Sequence, residues 1–141
     1  MTGTEPSAAF FSEPVAPQKR RRPWRAKFGD AFRGLKRGVR GQSSFFVHFF
    51  AAALVTAAGF VLHCVPWEWC ALVGCIGFVL TAELFNSAVE TLFRGLDAET
   101  RERAWPTLDI SAGAVLLASL TAVVVGLLIF LPKVAALLGI Q

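Results

Sequence analysis

The stretch LTAELFNSAVETLF, Leu80 to Phe93, lies in one of the most apolar parts of a 141-residue chain, yet it carries Glu83, Asn86 and Glu90. Offsets of three and seven residues turn an α-helix by about 300° and about 700°, the latter equivalent to about 340°. The two acids and the amide therefore share one helix face, and Ser87 borders it. An acid in mid-membrane costs about 2.5–3.5 kcal/mol on the insertion scale, and each Leu, Ile, Val or Phe returns about 0.3–0.6 kcal/mol. Residues 70 to 93 contain eleven such apolar side chains. Their sum, about 3–7 kcal/mol, is what two acids cancel. The stripe therefore faces protein, a metal or water rather than lipid. Two readings stand side by side: polar contacts that only join helices, or a reactive site.

Around this stretch the composition is that of a membrane protein. Hydrophobic residues make up 55% of the chain and the mean hydropathy is +0.55, too apolar for an ordinary soluble domain. Three apolar segments, about 45–63, 69–93 and 110–131, each approach the ~20 residues of a spanning helix. In the link CVPWEW, Pro66 breaks the helix, while Trp67 and Trp69 suit an interfacial aromatic belt. In the polar link RGLDAETRERAWPT, Pro106 is expected to open the third helix, where its missing N–H costs nothing.

Charge orients the chain. Ten of the 14 Lys and Arg residues fall between Lys19 and Arg40, and Arg94, Arg101 and Arg103 lie on the same side after two crossings. The pattern predicts a multi-pass membrane protein with a cytoplasmic N-terminus and an external C-terminus. The basic block reads as membrane apposition, and nucleic acid is not an expected partner. Within it, WRAKFGDAFRGLKRGVR places Trp24, Phe28, Phe32, Leu35 and Val39 at helical spacing among Arg and Lys. That predicts a basic amphipathic helix over 24–41 lying on the membrane surface, with Asp30 on its solvated side. Residues 1–23 read as a disordered tail. A signal peptide is the rival, but its charged leader would be too long. Cys64, Cys70 and Cys75 match no zinc spacing and read as small buried thiols. The expected fold is an all-α membrane protein: a 1–23 tail and a 24–141 domain of one surface helix plus three spans.

Depth bears on chemistry. Counted from Trp69 at about 1.5 Å per residue, Glu83 lies about 21 Å along its helix and Glu90 about 32 Å. The hydrocarbon core is about 30 Å thick. Glu90 thus reaches the cytoplasmic surface, with Glu83 about two turns deeper. Transporter sites sit nearer the midplane. A site spanning the interface suits a reaction between a cytosolic reagent and a lipid headgroup.

ELFNSAVE, Glu83 to Glu90, resembles the Glu-x-x-Asn-Ser/Thr-Ala-Ile/Val-Glu signature of the prokaryotic diacylglycerol kinase and undecaprenol kinase family. FGDAFRGLKRG is similar to the family's surface-helix motif, SFFVH to the start of its first span, and LDISAGAVLL to the start of its third. The resemblance runs from about Trp24 to Leu131. It implies a homotrimer with active sites shared between neighbouring chains and a MgATP-dependent phosphorylation of a lipid hydroxyl. By resemblance Glu83 is the general base, Asn86 orients it, and Glu90 binds Mg2+ together with the residue at position 42. The nucleotide is assigned to Glu90, Asp109, Glu99 and Arg101, and the lipid substrate to Glu83, Ala112 and His48. Phosphoryl transfer needs in-line positioning, neutralised phosphates and an acceptor for the hydroxyl proton, which a deep and a shallow carboxylate supply. There is no glycine-rich phosphate loop of the soluble kinases.

Three positions depart from the family pattern. Gln42 stands where a second Mg2+-binding Glu is usual, Leu108 where a Lys precedes the conserved Asp, and Arg94 where an Asp follows the metal Glu. Arg94, Arg101 or Arg103 replaces the missing cation and Asp97 the missing acid, or Arg94 simply pairs with Glu90 at i,i+4. The function expected is a lipid kinase acting on diacylglycerol or undecaprenol. The alternatives are a degenerate member that binds lipid or nucleotide without turnover, and an ion-conducting oligomer, which the depth of the acids disfavours.

Overall fold

The computed structural model describes residues 23–40 and 43–140. The expected tail, apart from Pro23, and Gln42 lie outside the described residues. The described chain forms four helices, α1 Trp24–Val39, α2 Ser43–Val61, α3 Pro66–Arg94 and α4 Ala98–Leu137, and no strand. Helices α2, α3 and α4 are long and apolar enough to cross a membrane. The all-α architecture of one amphipathic helix and three candidate spans is the expected one, and the chain is a membrane protein.

Helix α3 is the hub: α1, α2 and α4 all pack on it, α4 most extensively. Helix α1 buries none of its residues and exposes Trp24, Phe28, Phe32 and Leu35 along one face. It touches α3 at Gly38, where a Cβ would collide with the Leu84 side chain. Glycine is therefore what lets the two helices approach. Helix α2 ends in a Schellman motif, with Cys64 N–H donating to the Gly59 carbonyl at 3.0 Å and His63 N–H to Phe60 at 3.2 Å. His63 takes the left-handed position at φ +50°, which histidine tolerates better than most residues.

Two helix starts differ from the expected boundaries. Helix α3 begins at Pro66 and not at about Trp69. Proline at the first helical position is pre-organised and lacks only an amide that has no intrahelical partner, so the residue that ends the link also opens the helix. Glu68 secures this start: its Oε2 accepts the Val65 N–H at 2.7 Å and faces Lys133 Nζ of α4 at 2.9 Å. The second difference is larger. Pro106 does not open the third span; it lies inside α4, which starts at Ala98. Asp97 caps the helix by accepting the Thr100 N–H at 3.0 Å, and Glu99 pairs with Arg103 at 2.6 Å one turn on. These N-terminal contacts start the helix early. Pro106 removes the amide that would reach the Glu102 carbonyl, and both residues are exposed, so water can take the freed acceptor.

Candidate active site

Glu83 is the most thoroughly enclosed acid among the described residues, 2% exposed. Helix α2 supplies its partners. Ser44 Oγ donates to Oε1 of Glu83, and His48 Nε2 stands 3.6 Å from Oε2. Ser44 and His48 are four residues apart and so share one face of α2. The contact satisfies a charge that lipid would reject.

One turn further along α3 the polar stripe changes partners. Asn86 Nδ2 donates to Glu90 Oε1 at 3.0 Å, and Asn86 Oδ1 accepts from Ser111 Oγ of α4 at 2.7 Å. The structure thus joins Asn86 to Glu90 and to α4, while Glu83 is held from α2. Arg94 Nη2 lies 3.5 Å from Glu90 Oε2. Of the two readings of Arg94, this is the i,i+4 pair.

Between α3 and α4 a cleft of about 330 Å³ opens, lined by Asn86, Glu90, Arg94, Leu108, Asp109 and Ala112 together with two aromatic rings. Those rings, Phe93 and Trp105, meet edge to face at 5.6 Å. The cleft gathers Asn86, Glu90, Asp109 and Ala112 from separate parts of the sequence, at the lower end of ligand-pocket size. Glu99 and Arg101 do not line it. Glu99 is engaged with Arg103. Arg101 Nη2 donates to the carbonyls of Arg94 at 3.1 Å and Leu96 at 3.0 Å, and its guanidinium lies over the Phe93 ring. It thereby serves the end of α3, where carbonyls lack intrahelical partners. Beside it, the Thr100 amide holds the Asp97 carboxyl below its usual 3.8.

A second, apolar groove of about 630 Å³ runs between α2, α3 and α4. His48 lines it, with Leu72, Val79, Ala122 and Leu131 among the other walls. His48 thus stands between the enclosed acid and an apolar space.

Sequence reasoning missed Ser44 and Ser111. Ser44 sits four residues before His48, and Ser111 two residues after Asp109. Each is a small hydroxyl aimed at the stripe from another helix. The i,i+4 spacing puts Ser44 on the same helix face as His48, but only the packing of α2 on α3 brings that face to Glu83; nothing in the sequence pointed to Ser111.

Asn86, Glu90 and Asp109 bring side-chain oxygens to a cleft whose other walls are apolar or, at Arg94, cationic. Mg2+ is usually held by one or two carboxylates with phosphates and waters. Glu90 and Asp109 offer two carboxylates to one space, and no cluster of three or more His, Cys, Asp or Glu side chains exists among the described residues. This donor set fits a cation that arrives with a nucleotide rather than one caged by protein alone.

The model of the family described as prokaryotic diacylglycerol kinase matches residues 29–130. An undecaprenol kinase of Bacillus subtilis (strain 168) is 33% identical over 106 residues, covering 75% of this chain and 86% of that relative. A diacylglycerol kinase of Synechocystis sp. (strain ATCC 27184 / PCC 6803 / Kazusa) is 32% identical over 114 residues, 79% of this chain and 64% of that relative. No solved structure matches the chain significantly.

Proposed function

The chain belongs to the prokaryotic diacylglycerol kinase family, and from that premise we propose that this lipid kinase moves the γ-phosphoryl group of ATP to a hydroxyl of diacylglycerol or undecaprenol at the cytoplasmic surface of the inner membrane. The observation that carries the reading is the vertical order along α3: Glu83 is enclosed against α2, and Glu90 opens into the α3–α4 cleft seven residues on. A lipid hydroxyl reaches the deeper acid from the membrane, and a nucleotide reaches the shallower one from water. Glu83 accepts the hydroxyl proton as the lipid oxygen attacks. Asn86, tied to Glu90 and to Ser111, fixes the Glu90 carboxylate relative to α4. Asp109 borders the nucleotide side of the cleft and Ala112 its lipid side, and the apolar groove beside His48 takes the lipid chain. Mg2+ would be held by Glu90 and the nucleotide phosphates, with Gln42 standing where the family has a second Glu, and would neutralise the phosphate charge. The active assembly is a homotrimer with sites shared between chains.

A second reading, nucleotide binding without turnover, is favoured by one feature: Leu108, which carries no charge, lines the cleft where the resemblance places a Lys. Purified protein given γ-labelled ATP and a lipid panel separates the two. Label appearing in diacylglycerol or undecaprenol, and lost in Glu83→Gln, supports the kinase reading. Nucleotide retained on the protein with no labelled lipid replaces it by the second.

A further inference from the structure

We propose that Ser44 is a positioning residue for phosphoryl transfer: its hydroxyl holds Oε1 of Glu83, so that Oε2 is the oxygen that takes the proton of the lipid hydroxyl. The proposal rests on the reading of Glu83 as the base and assigns the two oxygens of that base different tasks.

The geometry separates them. Oε1 is engaged by a hydroxyl donated from α2, 39 residues away in the chain. Oε2 faces His48 Nε2 at 3.6 Å, longer than a hydrogen bond. His48 also lines the apolar groove, which puts that groove on the Oε2 side of the carboxylate. A lipid whose chain lies in the groove brings its hydroxyl to Oε2 and not to Oε1. The glutamate side chain reaches this point through rotatable bonds, and helix α3 alone does not select its rotamer. Ser44 does so from outside, by a contact between two packed helices.

The step balances without further reagents. The lipid oxygen forms a bond to the γ-phosphorus, the bond from that phosphorus to the bridging oxygen of ADP breaks, and the hydroxyl proton passes to Oε2 of Glu83. The Ser44 proton stays on Ser44 throughout. Without the Ser44 hydroxyl, the carboxylate leaves the in-line geometry, and misplacement by about 1 Å costs on the order of 10²-fold in rate. Binding of either substrate does not depend on this contact, so the loss falls on kcat.

The test compares Ser44→Thr, Ser44→Val, Ser44→Ala and Glu83→Gln in the full-length chain, in mixed micelles of detergent and diacylglycerol. Thr and Val have nearly the same shape and differ in the hydroxyl. Turnover is measured against ATP and against lipid, and thermal unfolding is followed in the same micelles. Val and Ala should lower kcat by about 10–100-fold, the worth of a hydrogen bond to a charged group, with both KM values within about twofold. Thr should stay within about threefold of the unsubstituted kcat, because it retains the donor. If the Val side chain prevents folding, the smaller Ala carries the comparison. Equal kcat in Val or Ala and Thr, or a loss confined to KM, overturns the positioning role. Turnover by Glu83→Gln overturns the base reading itself, while an inactive Glu83→Gln beside a fully active Ser44→Ala removes Ser44 and leaves Glu83 in place.

Discussion

Ser111 of α4 donates to Asn86 of α3 across 2.7 Å, and its hydroxyl also lies 2.9 Å from the carbonyl of Leu108 on its own helix. One proton serves two acceptors, so the contact links the Glu90 side of the cleft to the backbone that presents Asp109. Ser111→Ala removes it. A neutral hydrogen bond is worth about 0.5–1.5 kcal/mol net, or about 2–10-fold. The expected outcome is a rise of that size in the KM for ATP with little change in the KM for lipid. Equal effects on both substrates, measured by steady-state turnover, would show that Ser111 acts on packing alone.

Helix α4 starts on a titratable cap. The Thr100 amide holds the Asp97 carboxyl below its usual 3.8. A depressed folded value means that the cap stabilises fully above pH 3.8 and loses its contribution as pH falls through the lower folded value. Asp97→Asn keeps a capping oxygen without a charge. It should flatten the acid limb of a plot of unfolding temperature against pH, whereas Asp97→Ala should lower stability at neutral pH. An acid limb of unchanged slope in Asp97→Asn would assign that limb to other carboxylates.

The spans and the polar stripe were legible because each rests on a periodic signal: about twenty apolar residues for a span, and offsets of three and seven for Glu83, Asn86 and Glu90. The start of α4 was not. A proline four residues before the apolar run invited the reading of a helix opening, and the competing signal, Asp97 followed three residues later by Thr100, is a local cap that apolar patterning ignores. The partners of the stripe were hidden for a different reason. Ser44 and Ser111 meet Glu83 and Asn86 through packing between helices, and no one-dimensional spacing fixes which residue of a neighbouring helix lies opposite. Arg94 shows the middle case. Its i,i+4 spacing to Glu90 was visible, and the geometry selected the pair.

Ser87 lies one turn from Glu83 and is 2% exposed, and its hydroxyl has no hydrogen-bond partner among the described residues. An enclosed hydroxyl without a partner costs about 1–3 kcal/mol. Ser87→Ala should therefore raise the stability of the detergent-solubilised protein by an amount of that order, read as a higher denaturant midpoint at constant slope. A lower midpoint would mean that the hydroxyl is satisfied in the assembled protein.

At the opposite end of the bundle Glu68 of α3 and Lys133 of α4 form a largely enclosed pair at 2.9 Å. Removing one partner leaves the other charge uncompensated, while removing both does not. Glu68→Gln and Lys133→Met should each lower the unfolding temperature more than the double variant does. Additive losses, in a cycle of the four proteins, would reduce the pair to two independent contacts.

On the proposed reading, Glu90 would serve two cations, one of the protein and one of the reaction. Its Oε2 stands 3.5 Å from Arg94, whose guanidinium offsets the charge that a metal would meet. The Arg94 side chain is 66% exposed, so solvent screens the pair and its worth is about 0.2–1 kcal/mol. Arg94→Gln should then lower the Mg2+ concentration for half-maximal turnover by about 1.5–5-fold, that energy expressed as a ratio. Gln42→Glu should act in the same direction by adding a carboxylate, since an amide oxygen coordinates Mg2+ without neutralising it. Neither change should help in Glu90→Ala, which lacks the carboxylate both are meant to favour. Calorimetric binding of a non-hydrolysable ATP analogue, titrated with Mg2+, separates metal affinity from turnover. If Arg94→Gln leaves that affinity unchanged, the guanidinium does not compete with the metal. If Gln42→Glu leaves it unchanged, position 42 does not face the ion and Glu90 holds it with the phosphates alone.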